Sequence, residues 1–474
     1  MRKYSTQEDI ELLVKKQRDF FRTGKTLDVA WRKIQLKKLK NAILEHKQEI
    51  EEALFVDLGR TAVESYLCDI GTTVLEINEY IHGVKKWAKA EHHFSGILCF
   101  PSVSTKVYKM PYGVSLIISP FNFPILLSLG VLAASISGGN TAVIKTSSKS
   151  AESTKIIKKI IQSVFDENFV SVVDGGHDIA DACLETRFDK IFYTGSPNVA
   201  IHVLEKAAKN LTSCALELGG QNGNWCIVRK DADLKDAARK IAFLKILNAG
   251  QVCININQVA VAKEIAEEFL QFIKAEFVRQ IGENACNNEE YPKLISDVAY
   301  QKCEEDVLKY KERVVFGGTG NKKLRKFSPT VIYPVNIDEE IVQKELFCPI
   351  LPITIFEDQK IDELIRTIEE REHGLALYVF TSNTKWAKKI MSSMQFGGGC
   401  INEVVMHLMV KGVPFNGTGH SGMGAYHGEW GFREFTYPKT VLIGRNRFNL
   451  SLREHPYSGK KAKLKLKILK FLEK

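Results

Sequence analysis

The N-terminal part of the chain, residues 5–90, has an amphipathic pattern. Apolar side chains recur at roughly helical spacing between lysines and glutamates, at Ile34, Leu36, Leu39, Ile43 and Ile50. This periodicity predicts helices that bury one face. The pattern changes over residues 92–110, where polar and apolar residues alternate around a glycine and a proline, and this alternation predicts short strands.

From residue 114 onward, short apolar runs alternate with amphipathic segments. The runs predict buried strands, and the segments between them predict helices. Alternating strands and helices are typical of an α/β fold with parallel sheets covered by helices. The predicted strands are 114–118, 141–145, 170–173, 190–193, 225–228 and 351–356, and the predicted helices include 124–136, 149–163, 262–280 and 360–370.

Length and composition narrow the class of protein. The chain has 474 residues, of which 45% are hydrophobic, which is enough for two or three domains. The formal net charge of +10 indicates a solvated surface or an anionic ligand, and we find no nucleic-acid-binding motif.

The ten cysteines include no CxxC pair, which favours reduced thiols in a cytoplasmic protein. We expect neither a secretory signal nor a membrane span, because no apolar run reaches about 18 residues.

Three residues carry candidate chemistry. Cys253 follows a glycine-containing loop, and an isolated cysteine of this kind is most often a buried structural thiol. Glu217 is a single carboxylate in an apolar, glycine-ended segment, where burial would raise its pKa and make it a general base; the alternative is a strand-end ion pair. Asn122 stands between two prolines after a predicted buried strand, where it either donates to an oxyanion or caps a turn.

Taken together and in order, six segments resemble the aldehyde dehydrogenase family over residues 30–445. The short chain and the segment 414–428 resemble its dimeric, class-3-like branch. The resemblance implies an α/β fold with a parallel-sheet cofactor domain, an α/β catalytic domain and a small β oligomerisation element. The segments are 119–124, 139–145, 192–196, 216–220, 250–253 and 345–349.

The resemblance implies NAD(P)-dependent oxidation of an aldehyde to a carboxylic acid, without a metal. Cys253 is then the nucleophile, because a thiolate attacks the aldehyde carbon. The side-chain amide of Asn122 and the backbone N–H of Cys253 hold the oxyanion, and each such donor is typically worth about 3 kcal/mol. Hydride transfer to the nicotinamide leaves a thioester, and Glu217 activates the water that hydrolyses it.

The resemblance also implies a cofactor site for NAD or NADP. Lys145 is expected at the adenosine ribose, and Gly195 with Ser196 begins a helix whose N-terminus faces the pyrophosphate, as anions prefer. Glu345 is expected at the nicotinamide ribose, with Phe347 packed beside the nicotinamide ring. The residues assigned to the cofactor are Lys145, Ser148, Gly195, Ser196, Leu218, Glu345 and Phe347.

Two departures from the family pattern bear on this site. After Lys145 many members have Pro-Ser-Glu, whereas this chain has Thr-Ser-Ser ending at Ser148. An acidic residue there disfavours a 2′-phosphate, so Ser148, with Lys149 beside it, predicts that NADP is accepted.

Cys348 replaces a usual glycine, and it is either an inert buried thiol or a partner for oxidative coupling to Cys253.

The same resemblance divides the chain into domains. Residues 1–91 and 109–215 are expected to form the NAD(P)-binding domain, and residues 216–410 the catalytic domain. Residues 92–108 and 411–474 are expected to form the oligomerisation hairpin and a C-terminal segment. An edge strand in the hairpin would pair with a second copy of the chain, so we predict a homodimer.

The C-terminal segment from residue 459 is rich in lysine and leucine and predicts a helix. Leu464, Ile468, Phe471 and Leu472 would share one face of this helix. Such a basic amphipathic helix either lies on an acidic membrane surface, making the protein peripheral at the membrane, or forms a packed or solvated tail.

The sequence leaves more than one function open. A hydrolytic, CoA-independent enzyme is favoured by Glu217, because the CoA-acylating members commonly lack this base. The alternatives are a CoA-acylating enzyme and a catalytically silent paralogue that acts as a binding protein, the latter suggested by unusual residues at 221–223 and 254–257. An apolar funnel suited to aromatic or medium- and long-chain aldehydes would be lined by Phe121, Phe123 and Met406.

Overall fold

The computed structural model describes residues 4, 6–96, 103–220, 222–444, 452 and 454–471. The helices are α1 (Gln7–Arg22), α2 (Val29–Glu45), α3 (Lys47–Leu58), α4 (Ala62–Ser65), α5 (Gly71–Trp87), α6 (Val131–Gly138), α7 (Ala151–Val164), α8 (His177–Glu185), α9 (Pro197–Ala208), α10 (Leu234–Ile246), α11 (Ala266–Ile281), α12 (Asp297–Lys309), α13 (Ile361–Glu369), α14 (Thr384–Ser393), α15 (Gly428–Glu434) and α16 (Gly459–Phe471). The strands are β1 (Glu91–His93), β2 (Val103–Pro111), β3 (Val114–Ile118), β4 (Thr141–Lys145), β5 (Val170–Val173), β6 (Lys190–Gly195), β7 (Ser213–Leu218), β8 (Asn224–Val228), β9 (Ile256–Ala262), β10 (Val314–Phe316), β11 (Gly320–Asn321), β12 (Lys326–Phe327), β13 (Thr330–Ile332), β14 (Ile350–Phe356), β15 (Ala376–Phe380), β16 (Gly398–Ile401), β17 (Gly422–Met423) and β18 (Thr436–Gly444).

The buried strands agree best with the sequence pattern. Those predicted at 114–118, 141–145 and 170–173 are found with these bounds as β3, β4 and β5. Their apolar runs are continuous because helices cover both faces of the sheet. The helix predicted from residue 124 begins later, with a π-helical turn at Leu126–Gly130 that leads into α6. Helix α15 was not predicted, because it lies in the glycine-containing segment 411–445, whose pattern indicates a loop and a strand.

The first large sheet has the strand order β17-β7-β6-β3-β4-β5, and all its strands are parallel except β17. The chain places β4 and β5 on one side of β3 and then crosses over to add β6 and β7 on the other side. The order therefore reverses between β3 and β6. Ligands of parallel α/β sheets bind outside the carboxyl ends of the strands at such a reversal.

This first sheet extends beyond the domain boundary predicted after residue 215. Strand β7 continues to Leu218, and its Glu217 pairs with Thr194 of β6. Because the ladder of backbone hydrogen bonds runs through the whole strand, residues 216–218 belong to the first sheet and not to the second.

The second large sheet has the order β10-β13-β14-β9-β8-β15-β16, and its strands are parallel except β10. Strands β9 and β14 begin shortly after Cys253 and Cys348. The second sheet therefore presents the amino ends of its strands where the first sheet presents carboxyl ends. Both sheets contribute to a common apolar core that includes Ile117, Phe192, Val259 and Ile353.

A third sheet is a three-stranded antiparallel ribbon of order β1-β2-β18. Its central strand β2 pairs with β18 over nine registered positions, so the predicted hairpin is covered on one side by the chain's own C-terminal strand. Residues 97–102 of that hairpin lie outside the described residues. The free edges of the ribbon are β1 and β18.

Helix α16 is found where the sequence predicts it. Its apolar side chains face solvent, with Leu464 62% and Phe471 76% exposed. Leu472, the last residue of the predicted apolar face, lies outside the described residues. Within the described ranges, no helix combines the length and apolar character needed to cross a membrane.

Candidate active site

Three strands of the first sheet end at one cavity. The chain turns after β3 at a segment that carries Asn122, β6 ends at Gly195, and β7 carries Glu217 near its end. All three line a cavity of about 380 Å³ outside the carboxyl edge of the sheet. Its position beside the reversal of strand order is where a parallel α/β sheet binds a ligand.

Cys253 is reached by a loop with an unusual backbone. Asn248 and Ala249 have φ of 51° and 52°, in the left-handed region, and Gly250 follows with φ of 76°. A side chain at Gly250 would lie 2.4 Å from the carbonyl oxygen of Cys348, so the loop requires glycine there. Left-handed non-glycine residues cost on the order of 1–3 kcal/mol each and persist where the surroundings fix them.

Hydrogen bonds explain the polar residues around this loop. The amide of Asn224 donates to the carbonyls of Cys253 and Asn255, both at 2.8 Å. Asn255 in turn donates to the carbonyl of Gly250 at 2.8 Å. The hydroxyl of Tyr378 donates to the carbonyl of Ile254 at 2.7 Å. The unusual asparagines that follow Cys253 therefore hold the loop in place, which weakens the sequence argument for a silent paralogue.

Asn122 is positioned by an ion pair that the sequence did not reveal. Arg60 and Asp69 are both fully buried and 2.9 Å apart. Arg60 donates to the carbonyl of Asn122 at 2.8 Å, and Asp69 accepts the backbone N–H groups of Ile125 and Leu126 at 3.0 and 2.8 Å. Removing one partner of such a pair typically costs about 3–5 kcal/mol. No local pattern marks these two residues, because their contact depends on packing.

A second cavity meets the first at the same residues. It has a volume of about 220 Å³, and almost all its walls are apolar. Both cavities are lined by Cys253, Glu217, Thr194, Leu127 and Leu218. Cys253 is partly exposed at this junction, and Glu217 is buried beside it. The thiol and the carboxyl group therefore stand between a polar and an apolar chamber.

The apolar cavity contains only part of the predicted funnel. Phe123 and Met406 line it, whereas Phe121 lies in the wall of the polar cavity. Residues 121–123 form bends rather than a strand, and this backbone places the two phenylalanines in the walls of different cavities. Most of the remaining wall is aliphatic or aromatic and includes Leu126, Phe243, Leu247, Val252, Phe415 and Tyr426.

Burial controls the acidity of both reactive groups. It raises the pKa of Glu217 well above its usual value, with a further contribution from the charge of Glu434. One carboxyl oxygen of Glu217 has no hydrogen-bond partner within the described part of the chain. Burial also raises the pKa of Cys253 to about 12, and the charges of Glu345 and Glu217 add to this. Burial therefore favours the protonated form of both groups, and Cys253 is mainly a thiol near neutral pH in this state.

The polar cavity contains the kinds of groups that bind a dinucleotide: an open helix N-terminus, lysines and a carboxyl group. Ser196 caps α9 without a side-chain hydrogen bond, which leaves the helix N-terminus open toward a phosphate. The ammonium groups of Lys149 and Lys302 also line this cavity. Lys302 was not predicted, because a lysine on an amphipathic helix resembles any solvated charge. Gly219 lets the carboxylate of Glu345 approach the backbone, since a side chain there would lie 2.1 Å from its Oε1.

An aromatic group completes the wall of this cavity. Phe347 has φ of 52° and contacts Phe121 edge-on, with ring centroids 5.9 Å apart. Lys149 lies over the Phe121 ring at 5.5 Å. Burial raises the pKa of Glu345 to about 8. An aromatic ring beside an acceptor for hydroxyl groups is a suitable environment for a nicotinamide riboside.

Two predicted cofactor contacts are not in the cavity wall. Lys145 is buried, and its ammonium donates to the carbonyls of Thr146 and Gly175 at 2.8 and 2.9 Å. Ser148 is exposed on the turn before α7, next to Lys149. Lys145 would have to leave its present hydrogen bonds to reach a ligand. Across the described ranges, no group of three or more His, Cys, Asp or Glu side chains is arranged to hold a metal ion.

A thiol, a carboxyl group and an amide at the junction of an apolar and a polar chamber define a cysteine-dependent enzyme with a separate dinucleotide site. The sequence profile of the Aldehyde dehydrogenase family matches residues 2–441. The chain belongs to this family, whose reaction is the NAD(P)-dependent oxidation of aldehydes.

Individual relatives extend over nearly the whole chain. The 4,4'-diaponeurosporen-aldehyde dehydrogenase of Staphylococcus aureus is 35% identical over 441 residues, covering 93% of this chain and 95% of that protein. The rat enzyme named aldehyde dehydrogenase, dimeric NADP-preferring, is 33% identical over 438 residues, covering 91% and 93%. The solved substrate-bound state of Staphylococcus aureus AldH has a TM-score of 0.93 and 34% identity, covering 97% and 99%. The similarity to family 3 members supports the class-3-like branch.

Proposed function

We propose that this protein is a hydrolytic, CoA-independent aldehyde dehydrogenase that converts an apolar aldehyde, aromatic or of medium to long chain, to a carboxylic acid. The observation that carries this proposal is the placement of Cys253 and Glu217 at the junction of the two cavities. An apolar chain enters from one side, and the cofactor is held on the other.

The first step is loss of the Cys253 thiol proton to solvent and attack of the resulting thiolate on the aldehyde carbon. The new C–S bond converts the carbonyl oxygen to an oxyanion, which is held by the side-chain amide of Asn122 and the backbone N–H of Cys253. Asn122 is 2% exposed, and its backbone carbonyl accepts a hydrogen bond from Arg60. Its side-chain amide donates to the carbonyl of Gln251 at 3.2 Å and has a second N–H for the oxyanion. NAD or NADP, when bound in the polar cavity, would supply the hydride acceptor, and loss of the hydride leaves a thioester on Cys253.

The second step is hydrolysis of this thioester. Glu217 removes a proton from a water molecule, the water oxygen bonds to the thioester carbon, and the C–S bond breaks. The carboxylic acid leaves, and Cys253 is regenerated. The raised pKa of Glu217 makes its carboxylate a stronger base toward this water molecule.

The cofactor would be held by groups of the polar cavity. The backbone of Gly195 and Ser196 at the start of α9 supports the pyrophosphate, and Glu345 accepts hydrogen bonds from ribose hydroxyls. Phe347 packs against the nicotinamide. Ser148 leaves room for a 2′-phosphate, which Lys149 can neutralise, so NADP is accepted.

The apolar cavity supports the substrate class. Its wall offers almost no polar atom, so each methylene that leaves water there contributes about 0.8 kcal/mol to binding. A CoA-acylating enzyme would need thiolysis in place of hydrolysis, and the buried Glu217 supports hydrolysis. The relative from Staphylococcus aureus is named for a long apolar aldehyde, which agrees with this class.

Two further parts of the chain suit partners. The free edge strands β1 and β18 of the ribbon could pair with a second copy, and we propose a homodimer; the rat relative is named as dimeric.

The exposed α16 has no acidic residue in its first turn and many lysines, which suits an anionic membrane surface. Unchanged liposome binding after truncation at Ser458 would exclude the membrane role.

The test of the catalytic proposal is formation of reduced cofactor without CoA. Benzaldehyde and a medium-chain aldehyde are supplied with NAD and NADP separately, to wild type and to Cys253→Ala. We expect turnover in wild type and a loss of at least about a thousandfold in the variant, with cofactor binding retained. A folded wild type that binds cofactor but oxidises no aldehyde would contradict the proposal, and turnover only on addition of CoA would favour the acylating alternative.

A further inference from the structure

A buried cluster of two thiols and an amine lies behind the polar cavity. Cys303 is on the inner face of α12, Cys348 precedes β14, and Lys245 is on α10; they are 1%, 4% and 0% exposed. The proposed reaction uses none of them. Both cysteines line the polar cavity, so a small solute that enters it can reach them although bulk solvent does not.

The two thiols are direct neighbours. Both cysteines line the same cavity and belong to the same buried cluster, and their side chains are close enough for each to shift the pKa of the other. The structure therefore places Cys348 beside Cys303, whereas the sequence left it either an inert buried thiol or a partner for Cys253. Neighbouring thiols on separate elements are the arrangement from which a disulfide forms.

The buried amine of Lys245 indicates that one of the two thiols carries a negative charge. The Nζ of Lys245 is buried and has no hydrogen-bond partner within the described part of the chain. Burial lowers the pKa of Lys245 to about 7, and the charges of Cys348 and Cys303 oppose this. The hydrogen bond from Cys303 lowers the pKa of Cys348, helped by Ile350 and Lys245, while burial raises that of Cys303. Cys348 is thus the nucleophile, and Cys303 keeps its proton.

We propose that Cys303 and Cys348 form a peroxide-reactive dithiol that closes to an intramolecular disulfide in the wall of the cofactor cavity. The Cys348 thiolate attacks one oxygen of hydrogen peroxide, the O–O bond breaks, and the leaving hydroxide is protonated to water. Cys303 then attacks the sulfenic sulfur of Cys348, the S–O bond breaks, and a second water leaves. Two thiols are oxidised and one peroxide is reduced.

The disulfide would change the cofactor site. It ties α12, which carries Lys302, to the segment that holds Glu345 and Phe347. We expect weaker cofactor binding in the oxidised state and slower oxidation when cofactor fills the cavity. This consequence rests on the proposed function, whereas the disulfide itself does not.

The experiment uses the full chain with Cys253→Ala, which removes the other reactive thiol. Hydrogen peroxide is added with and without NADP, and peptide mapping follows the Cys303–Cys348 cross-link. We expect an intact mass lower by two hydrogen atoms, reversal by dithiothreitol and slower reaction with NADP. Lys245→Met should slow the reaction about tenfold, the factor that one pKa unit makes in the thiolate fraction.

Matched variants decide the outcome. Cys303→Ser and Cys348→Ser should each abolish the cross-link, and Cys286→Ser, which removes a buried thiol bonded only to carbonyls, should not. If a serine variant does not fold, the peptide map of the Cys253→Ala chain still decides. Oxidation of Cys348 to sulfinic acid with Cys303 still alkylatable, or an oxygen-containing link to Lys245, would overturn the proposal. A cross-link that leaves NADP binding unchanged would confirm the disulfide and overturn its expected effect on the cofactor site, and none of these results depends on aldehyde turnover.

Discussion

The two cavities on either side of Cys253 are built in different ways. The polar cavity is made at the carboxyl ends of β3, β6 and β7, where backbone groups, a helix N-terminus and charged side chains converge. The apolar cavity is made by side chains from helices and loops far apart in the chain. One side recognises its ligand by charge and backbone geometry and the other by apolar area, so a change on one side should leave the other unaffected.

The largest effect is expected at the junction itself, with Glu217→Gln. Loss of the base should lower the steady-state rate about 10²–10⁴-fold, because thioester hydrolysis stalls. A burst of reduced cofactor should remain, since attack and hydride transfer do not require Glu217. Stopped-flow absorbance measures both phases. Glu429→Gln, at an exposed helix pair, is the control; an unchanged steady-state rate in Glu217→Gln would remove this residue from the mechanism.

Asn122→Ala tests the oxyanion donor on the polar side. We expect kcat to fall about 10²–10³-fold, the usual loss for one such donor, with little change in KM. Arg60 donates to the backbone carbonyl of Asn122 and not to its side chain. The fold should therefore tolerate the change. Thermal unfolding checks this point. A lowered kcat together with a strongly lowered melting temperature would point to a structural role instead.

Ser148→Glu adds a carboxylate next to Lys149, which lines the polar cavity. A carboxylate near the 2′-phosphate should weaken NADP by about 2 kcal/mol, roughly thirtyfold in kcat/KM, and leave NAD and the aldehyde KM unchanged. Ser392→Glu adds the same charge on an exposed face of α14 and serves as control. Equal loss with both cofactors would show that Ser148 does not face the 2′ position.

Met406→Glu changes only the apolar cavity and should have the smallest effect. Met406 lines this cavity and is 46% exposed, so it stands near its mouth. We expect the KM of a long-chain aldehyde to rise about tenfold, while cofactor KM stays constant. Met423→Glu, similarly exposed but outside both walls, is the control. A matching rise in cofactor KM would show that the two chambers are not independent.

The sequence by itself determined the elements and the candidate chemistry. Continuous apolar runs specified β3, β4 and β5, because a buried parallel strand needs apolar residues on both faces. The six ordered segments selected Cys253, Glu217 and Asn122, which the structure brings to one cavity. Such local patterns are readable because the residues that form them are neighbours in the chain.

Only the tertiary structure decided which distant residues meet. It paired Arg60 with Asp69 behind Asn122, placed Cys348 against Cys303, and kept Lys145 outside the polar cavity. It also placed Glu217 in the first sheet. Arg60 and Asp69 are nine residues apart and Cys303 and Cys348 are 45 apart, and neither contact follows from a helical or strand spacing in the chain. They follow from the packing of helices and sheets against one another, which is settled only when the whole core is buried.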